Sequence, residues 1–259
     1  MGKEEILAQL VEMSRALGLP ERDFVMLAEG NTSALVGEDR YLVKASGFHL
    51  HGIQPEGFVE LYLEPVLDLV KRADSGVDHV GDEAEVSRQL AAARVDAGVQ
   101  LRPSFEATLH AIIYALSGAA FIGHTHPTAV NAVLCARDCQ QVLEGRLFPD
   151  HIVYCGKVPA FVPYIEPGLP LAKLVAHILE KHLDAYGEAP KTIFLQNHGL
   201  IVLGKSPSEV ESITAMTVKS CRVLLGTAAF GGPRFLTEED VARIHTHPGE
   251  QYRRRLAGF

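Results

Sequence analysis

The segment Ala119-Ala120-Phe121-Ile122-Gly123-His124-Thr125-His126-Pro127 joins a short apolar run to a pair of histidines. Such a run, bounded by small residues, is typical of a buried β-strand. Pro127 then has the fixed backbone angle that suits the first turn of a helix, which the sequence predicts over 127–136. Ligands of α/β proteins usually bind at the carboxyl ends of strands, so the histidines stand where a binding site is expected.

His124 and His126 are two residues apart, so in an extended strand their side chains leave the same face of the sheet. Two such side chains are about 6–7 Å apart along the strand. Neutral imidazoles are suitable ligands for Zn²⁺. A second pair with this spacing, His245 and His247, follows a polar helix and has no apolar strand before it, which does not favour a metal site there.

His198 and Glu106 are the other candidates for chemistry. His198 directly follows an apolar strand predicted over 192–195, and Gly199 allows another part of the chain to approach closely. Two strand ends of one sheet can bring three histidines together, and three protein ligands with one open position are typical of catalytic zinc. Glu106 lies in the first turn of a helix predicted over 105–116, with Ser104 as N-cap. A carboxylate is also favoured there by the helix dipole alone, and His110 one turn later either bonds Glu106 or packs in the core.

The remaining pattern mixes helices and strands without a repeat or a long linker. It predicts a hairpin of 34–36 with 41–43, a turn at 30–33, short β pieces in 151–165 and a mobile loop over 73–83. Helices are predicted over 3–17, 60–72, 84–97, 169–186 and 207–230, with a last helix opening at 237. We therefore predict one α/β domain over 1–259, with its core at about 5–230 and a C-terminal helix and tail over 237–259.

Composition excludes several other classes of protein. The chain has 259 residues, 47% of them hydrophobic and 22% charged, with a formal net charge of −8. An acidic chain is a poor partner for nucleic acid, and the basic cluster at 253–255 is too short to change this. No apolar run reaches the roughly 18–20 residues of a membrane span, and no signal peptide is apparent. We therefore expect a cytoplasmic protein. In that reducing compartment the four cysteines, which form no Cys-x2-Cys pair, are expected to be free thiols.

Four sequence blocks together resemble the class II aldolase/adducin family. In chain order they are Gly30-Asn31-Thr32-Ser33, Lys44-Ala45-Ser46-Gly47, Pro103-Ser104-Phe105-Glu106 with His124-Thr125-His126-Pro127, and Asn197-His198-Gly199-Leu200. Each block is short, but their order and separations make the combination specific. The resemblance implies a single α/β domain built around a central, mainly antiparallel β-sheet flanked by helices. It also implies a homotetramer with its active sites between subunits.

The resemblance assigns a role to each candidate residue. His124, His126 and His198 are expected to bind zinc, although other divalent transition metals suit the same ligands. Glu106 is expected to be the catalytic acid and base. The positions expected to hold the substrate, through its phosphate, are Gly30, Asn31, Ser46, Gly47 and Ser104. A tyrosine reaching from a neighbouring subunit is also expected to be catalytic; Tyr154 is our choice, and Tyr164 is the alternative.

The activity implied is that of a lyase, a zinc-dependent aldolase that cleaves or forms a ketose, such as a sugar phosphate, through a metal-stabilised enediolate. Phe105 departs from this pattern, because the aldolases typically carry there a second serine that helps to hold phosphate. Either the remaining groups hold the substrate phosphate, or the substrate is a different acid or an unphosphorylated compound. Alternatives are an epimerase, dehydratase or decarboxylase acting on a sugar acid phosphate, and a non-catalytic adducin-like binding module. Glu106 favours the aldolase over the epimerases, which usually carry Asp at this position.

Overall fold

The strands of the computed structural model, which describes residues 2–74, 83–250 and 252, form one seven-stranded sheet. They are β1 (Asn31–Val36), β2 (Arg40–Lys44), β3 (Phe58–Tyr62), β4 (Phe121–Thr125), β5 (Ala160–Val162), β6 (Thr192–Leu195) and β7 (Gly199–Gly204). Across the sheet the order is β3-β2-β1-β4-β7-β6-β5, and adjacent strands are antiparallel except for the parallel pair β5 and β6. The predicted central, mainly antiparallel sheet is confirmed.

Helices cover both faces of this sheet. They are α1 (Lys3–Leu17), α2 (Leu63–Asp74), α3 (Glu83–Ala92), α4 (Ala107–Ser117), α5 (Thr128–Leu134), α6 (Cys139–Glu144), α7 (Pro149–Cys155), α8 (Leu169–Tyr186), α9 (Pro207–Thr227) and α10 (Glu238–Thr246). Short 3-10 turns lie at Pro20–Arg22, Pro55–Gly57 and Ala228–Phe230. Among the described residues, no helix has the length and apolar character that crossing a membrane requires.

Alternation along the strands explains why the domain has three layers. In β6, Ile193 and Leu195 contact the core under α2, α4 and α8, whereas Phe194 contacts the core under α1, α5 and α9. Side chains two apart share a face, so each central strand supplies both cores. Burying one Leu, Ile or Phe side chain stabilises the folded protein by about 1.5–3 kcal/mol. A face of the sheet left exposed to water would not gain this stabilisation. The single α/β domain predicted from the pattern is confirmed.

Several predicted elements agree closely with the structure. Helix α8 has the predicted bounds, and Gly187 ends it in the left-handed conformation at φ +71°. Strand β6 also has its predicted bounds. Helix α1 ends at Leu17 as predicted, and Gly18 is required there because a Cβ would lie 2.3 Å from the backbone nitrogen of His51.

Other predicted boundaries were wrong. The helix predicted over 60–72 begins as strand β3, because residues 58–62 pair with β2 before the chain turns into α2. The helix predicted over 84–97 ends at Ala92. The turn predicted at 30–33 belongs largely to β1, because Asn31 already pairs with His124 of β4. The mobile loop predicted over 73–83 falls largely outside the described residues, as does the basic cluster at 253–255.

Two helix boundaries bear directly on the site. Residues 151–165 were predicted as β pieces, but Pro149–Cys155 is a helix with Pro149 in its first turn, and only Ala160–Val162 forms a strand. The helix predicted to start after Ser104 starts at Ala107 instead, with Glu106 at its N-cap. Ser104 still caps the turn, since its Oγ accepts a hydrogen bond from the backbone N–H of Glu106 at 3.3 Å.

Candidate active site

Three histidines meet at one end of the central strands of the sheet. His124 lies near the end of β4, His126 follows it directly, and His198 lies in the turn between β6 and β7. Their ring centroids are 4.7 Å apart for His124 and His126, 4.9 Å for His124 and His198, and 5.0 Å for His126 and His198. One nitrogen from each ring lies within 4.8 Å of the other two. The pairing of β4 with β7 is what brings the distant His198 to the other two rings.

The turn that carries His198 depends on two unusual backbone positions. Asn197 has φ +53°, a left-handed conformation that Asn tolerates better than most residues. The N–H of His198 donates to the carbonyl of Leu195 at 3.1 Å and closes the turn. A Cβ at Gly199 would lie 2.6 Å from Cδ2 of His126 and 2.7 Å from the carbonyl oxygen of Thr125. Only glycine therefore lets β7 begin directly beneath the His126 ring.

The protonation of the rings suits metal binding. Nδ1 of His124 lies 3.1 Å from the carbonyl of Leu200, which can accept its proton, so the Nε2 lone pair faces the other rings. Burial, followed by the neighbouring His198, lowers the pKa of His124 well below its usual value. Burial, followed by the charges of His124 and His198, lowers the pKa of His126 to about 3. Both rings are therefore neutral near pH 7, the form in which imidazole binds a metal.

Glu106 completes the cluster from the N-terminal end of α4. Its Oε2 lies 3.3 Å from Nε2 of His124, and its Oε1 lies 3.3 Å from Nε2 of His198. Asn31 donates from Nδ2 to Oε2 at 2.7 Å. Oε1 is buried and has no hydrogen-bond partner among the described residues.

This donor set fits a divalent metal. Nε2 of His124 and Nε2 of His126 are 3.0 Å apart. Ligands at about 2.0–2.1 Å from a tetrahedral zinc ion are about 3.3 Å apart, which is close to this separation. A buried carboxylate oxygen without a hydrogen-bond partner beside the three imidazoles also favours a positive charge between them. His124, His126 and His198 are thus the residues that could hold the ion.

The predicted substrate positions lie in two places beside Glu106. Gly30 has φ +66°, and a Cβ there would lie 2.5 Å from the carbonyl oxygen of His124, so close approach of β1 to β4 already requires glycine. The turn at Ser46 and Gly47 lies next to Ser104, because Ser46 donates to the carbonyl of Arg102 and Ser104 donates to that of Lys44. Gly47 has φ +83°, and a Cβ there would meet no atom within 4 Å, which leaves space beside this turn.

Lys44 is a site residue whose role the sequence analysis did not identify. It is only 3% exposed, although it carries an amine. Its Nζ donates to the carbonyl of Phe48 at 2.5 Å and so holds the turn that contains Ser46 and Gly47. Burial lowers the pKa of Lys44 to about 8, against the opposing effect of the Glu106 charge. The sequence feature that could have identified this residue is a lysine directly after the apolar strand predicted at 41–43.

The Phe105 ring makes a packing contact with Gly168. A Cβ at Gly168 would lie 2.4 Å from Cε1 of Phe105, so the ring packs directly on this glycine, which has φ +101°. The ring also packs against the core beneath α4 and α8. At this position the chain therefore offers an apolar anchor between Ser104 and Glu106 where the aldolase pattern predicts a hydroxyl.

The two candidate tyrosines occupy different surroundings. Tyr154 lies on α7, a helix that packs against α9 and α10, and its ring is partly buried in the core on that side of the sheet. Tyr164 is 62% exposed, and its N–H donates to Oε1 of Gln196 at 3.1 Å, beside the turn that carries His198. A catalytic role for either tyrosine stays a prediction. His245 and His247 are absent from the cluster, and among the described residues only the three histidines above form a group suited to a metal ion.

Comparison with known proteins agrees with this geometry. Residues 8–225 match the family model of the class II aldolase and adducin N-terminal domain. The match covers most of the chain, which therefore belongs to the class II aldolase and adducin family.

Individual relatives are distant. An uncharacterized oxidoreductase of Bacillus subtilis, YuxG, is 26% identical over 240 residues, which cover 88% of this chain and 31% of that protein. The chain thus spans about a third of the length of this relative. An L-fuculose 1-phosphate aldolase has a TM-score of 0.70 at 18% identity, covering 98% of each chain. The Klebsiella pneumoniae protein YgbL, a putative aldolase/epimerase/decarboxylase, has a TM-score of 0.69 at 20% identity, covering 94% of this chain and 99% of that one. At these identities the solved structures show a common fold.

Proposed function

We propose that this chain is a metal-dependent class II aldolase, a lyase that cleaves or forms a ketose, and that the ketose is a sugar phosphate. The observation that carries the proposal is the meeting of three imidazoles from two strand ends with the Glu106 carboxylate 3.3 Å from two of them. When bound there, a zinc ion supplies Lewis-acid stabilisation of the negative charge that develops on the substrate oxygens. The family assignment and the fold of the aldolase neighbour support the same reaction class.

The protein side chains supply the proton transfer and the substrate contacts. Glu106 has one oxygen held by Asn31 and one oxygen without a hydrogen-bond partner among the described residues, so Oε1 is the atom that exchanges a proton with the substrate carbon. General acid and base catalysis of this kind contributes about 10²- to 10⁴-fold in rate. The backbone N–H groups of Ser46 and Ser104 already donate to protein carbonyls. The groups that would meet an anionic end of the substrate are therefore the N–H of Gly47 and the hydroxyls of the two serines.

The test is the replacement Glu106→Gln, which keeps the shape of the side chain and removes its basic oxygen. The assay is release of glycerone phosphate from a panel of ketose 1-phosphates that includes L-fuculose 1-phosphate. We expect turnover to fall at least about 100-fold while bound zinc stays near one ion per chain. Glu56→Gln, on an exposed 3-10 turn remote from the histidines in sequence, is the matched control. Unchanged turnover in Glu106→Gln would remove Glu106 from the mechanism.

Phe105 favours one further candidate, in which the same site acts on a different acid, such as a sugar acid phosphate, as an epimerase, dehydratase or decarboxylase. Its ring packs on Gly168, so residue 105 offers no hydroxyl to a phosphate. Product analysis separates these reactions, because an aldolase yields two carbonyl compounds, an epimerase retains the mass, a dehydratase eliminates water, and a decarboxylase releases CO₂. An adducin-like binding module would contain well below one metal ion per chain and would convert none of these compounds.

The resemblance also underlies our proposal of a homotetramer with active sites between subunits. In that arrangement a tyrosine of one chain, Tyr154 or Tyr164, would act in the site of its neighbour. Sedimentation velocity determines the assembly. Mixing Glu106→Gln subunits with subunits that lack one tyrosine would restore activity only if the two residues act in the same site from different chains.

A further inference from the structure

A chain of buried hydrogen bonds runs from the interior of the domain to Glu106. The hydroxyl of Tyr114 lies 2.6 Å from Oγ of Ser33, which lies 2.6 Å from Nδ1 of His110. Nε2 of His110 bonds Oδ1 of Asn31, whose Nδ2 donates to Oε2 of Glu106 at 2.7 Å. Ser33 and His110 are fully buried, and Asn31 and Tyr114 are at most 5% exposed. We call these five residues the relay.

The geometry of β1 and α4 explains how the relay forms. Asn31 and Ser33 are two apart on a strand, so they share a face and are about 6–7 Å apart. Glu106, at the N-cap of α4, is followed at intervals of four residues by His110 and Tyr114. The three side chains therefore lie on one helix face at intervals of about 6 Å. The spacing of side chains on β1 nearly matches their spacing on α4. Side chains of the strand and the helix therefore alternate along the relay.

The chemistry of the groups fixes the direction of every bond. A carboxylate only accepts, so Asn31 presents its NH₂ group to Glu106 and its carbonyl oxygen to His110. His110 must then carry its proton on Nε2. Burial lowers the pKa of His110 to about 4, so the ring is neutral and its Nδ1 accepts the proton of Ser33. The remaining lone pair of Ser33 accepts the hydroxyl proton of Tyr114.

We propose that His110 and Asn31 are positioning residues, which hold the Glu106 carboxylate against the three histidines through a single orientation of the Asn31 amide. This inference rests on the proposed function of Glu106. It also gives Asn31 a role other than the substrate contact that the family resemblance implies, since both polar ends of its amide are already bonded within the protein.

The relay makes a specific claim about Ser33, which is two hydrogen bonds away from Asn31. Without the Ser33 hydroxyl, Nδ1 of His110 is a buried acceptor with no donor in the relay, while the Glu106 carboxylate and the Asn31 amide still keep the ring proton on Nε2. An unsatisfied buried acceptor is destabilising, so we expect the His110 ring to shift. Asn31 would then hold the Glu106 carboxylate less firmly.

The first test reads the tautomer directly, without an activity assay. Protein labelled with ¹⁵N in histidine gives two-bond ¹H–¹⁵N correlations that distinguish the tautomers of neutral rings, and the His110→Gln variant identifies the His110 signals. We expect the Nε2–H tautomer in the unsubstituted protein and in Ser33→Ala, because the Glu106 carboxylate orients the Asn31 amide in both. The Nδ1–H tautomer in the unsubstituted protein would overturn the proposal.

The second test measures kcat and KM for the ketose phosphate that the unsubstituted protein turns over. We expect Ser33→Ala to lower kcat about tenfold with KM within twofold, and Ser33→Thr, which keeps the hydroxyl, to recover most of the loss. Thr108→Val is the control, because Thr108 is fully buried on α4, the helix that carries His110, and its hydroxyl has no hydrogen-bond partner among the described residues. An unchanged kcat in Ser33→Ala would overturn the positioning role.

The two proposals fail in different ways. If no ketose phosphate is cleaved by the unsubstituted protein, the proposed function fails, while the tautomer measured on the same sample still decides whether the relay is oriented as inferred. If cleavage is found and Ser33→Ala leaves kcat unchanged, the positioning role fails and the aldolase assignment stands.

Discussion

Oε1 of Glu106 lies 3.3 Å from Nε2 of His198, the same distance at which its other oxygen meets His124. The carboxylate thus faces a cluster in which burial keeps His124 and His126 neutral. Two neutral imidazoles and a carboxylate therefore lie around a point that favours a cation. Because a metal added there binds only the folded chain, metal binding should be visible as stability.

Zinc should therefore raise the melting temperature of the metal-free protein. At a free zinc concentration of 100 times Kd, the gain in the free energy of unfolding is about 2.7 kcal/mol. His198→Gln removes one of three ligands and should abolish most of this gain, as measured by thermal unfolding with and without zinc. His247→Gln, an exposed histidine outside the cluster, is the control. Equal zinc stabilisation in both variants would exclude His198 as a ligand.

Gly199→Ala should weaken metal binding without changing any ligand. The new Cβ would lie 2.6 Å from Cδ2 of His126, so the imidazole must move away from its partners. We expect the zinc Kd to rise by about tenfold or more, the size of effect seen when groups that orient metal ligands are changed. Gly226→Ala on α9 is the control, because a Cβ there meets no atom within 4 Å. It should leave the Kd unchanged and stabilise the protein by up to about 1 kcal/mol.

The sequence predicted the meeting of the three histidines better than it predicted the contacts around them. The apolar run before His124 and the glycine after His198 are local signals, and the structure brings these residues together. Strand β3 was missed because residues 58–62 run without a break into an amphipathic helix. His110 was expected to bond Glu106 or to pack, whereas Asn31 lies between them. That insertion depends on how α4 lies along β1, which no local pattern encodes.

Acid should destabilise the protein through His151, a buried histidine outside the three-histidine cluster. Burial, with a smaller contribution from Arg146, lowers the pKa of His151 to about 3 from its usual 6.5. Below pH 6.5 His151 binds a proton in the unfolded chain, whereas in the folded chain it stays neutral until about pH 3. Stability is therefore lost as pH falls through this window. One such histidine costs about 1.4 kcal/mol per pH unit. Urea unfolding at pH 7.0, 5.5 and 4.5 should show a shallower decline in His151→Gln, whereas the exposed His49→Gln should decline like the unsubstituted protein.

Gly168→Ala should damage both stability and catalysis, because its neighbour Phe105 lies between Ser104 and Glu106. Gly168 has φ +101°, a conformation that side chains rarely adopt, and a Cβ would lie 2.4 Å from the Phe105 ring. The backbone strain alone costs about 1–3 kcal/mol, and displacement of the ring adds to it. Gly187→Ala separates the two effects, since Gly187 has φ +71° and free space around a Cβ. Phe105→Ala combined with Gly168→Ala should cost less in urea unfolding than the sum of the single changes, because removing the ring removes the clash. If Gly168→Ala lowers turnover no more than Gly187→Ala does, the Phe105 anchor does not position Glu106, and the departure from serine at residue 105 then concerns the substrate alone.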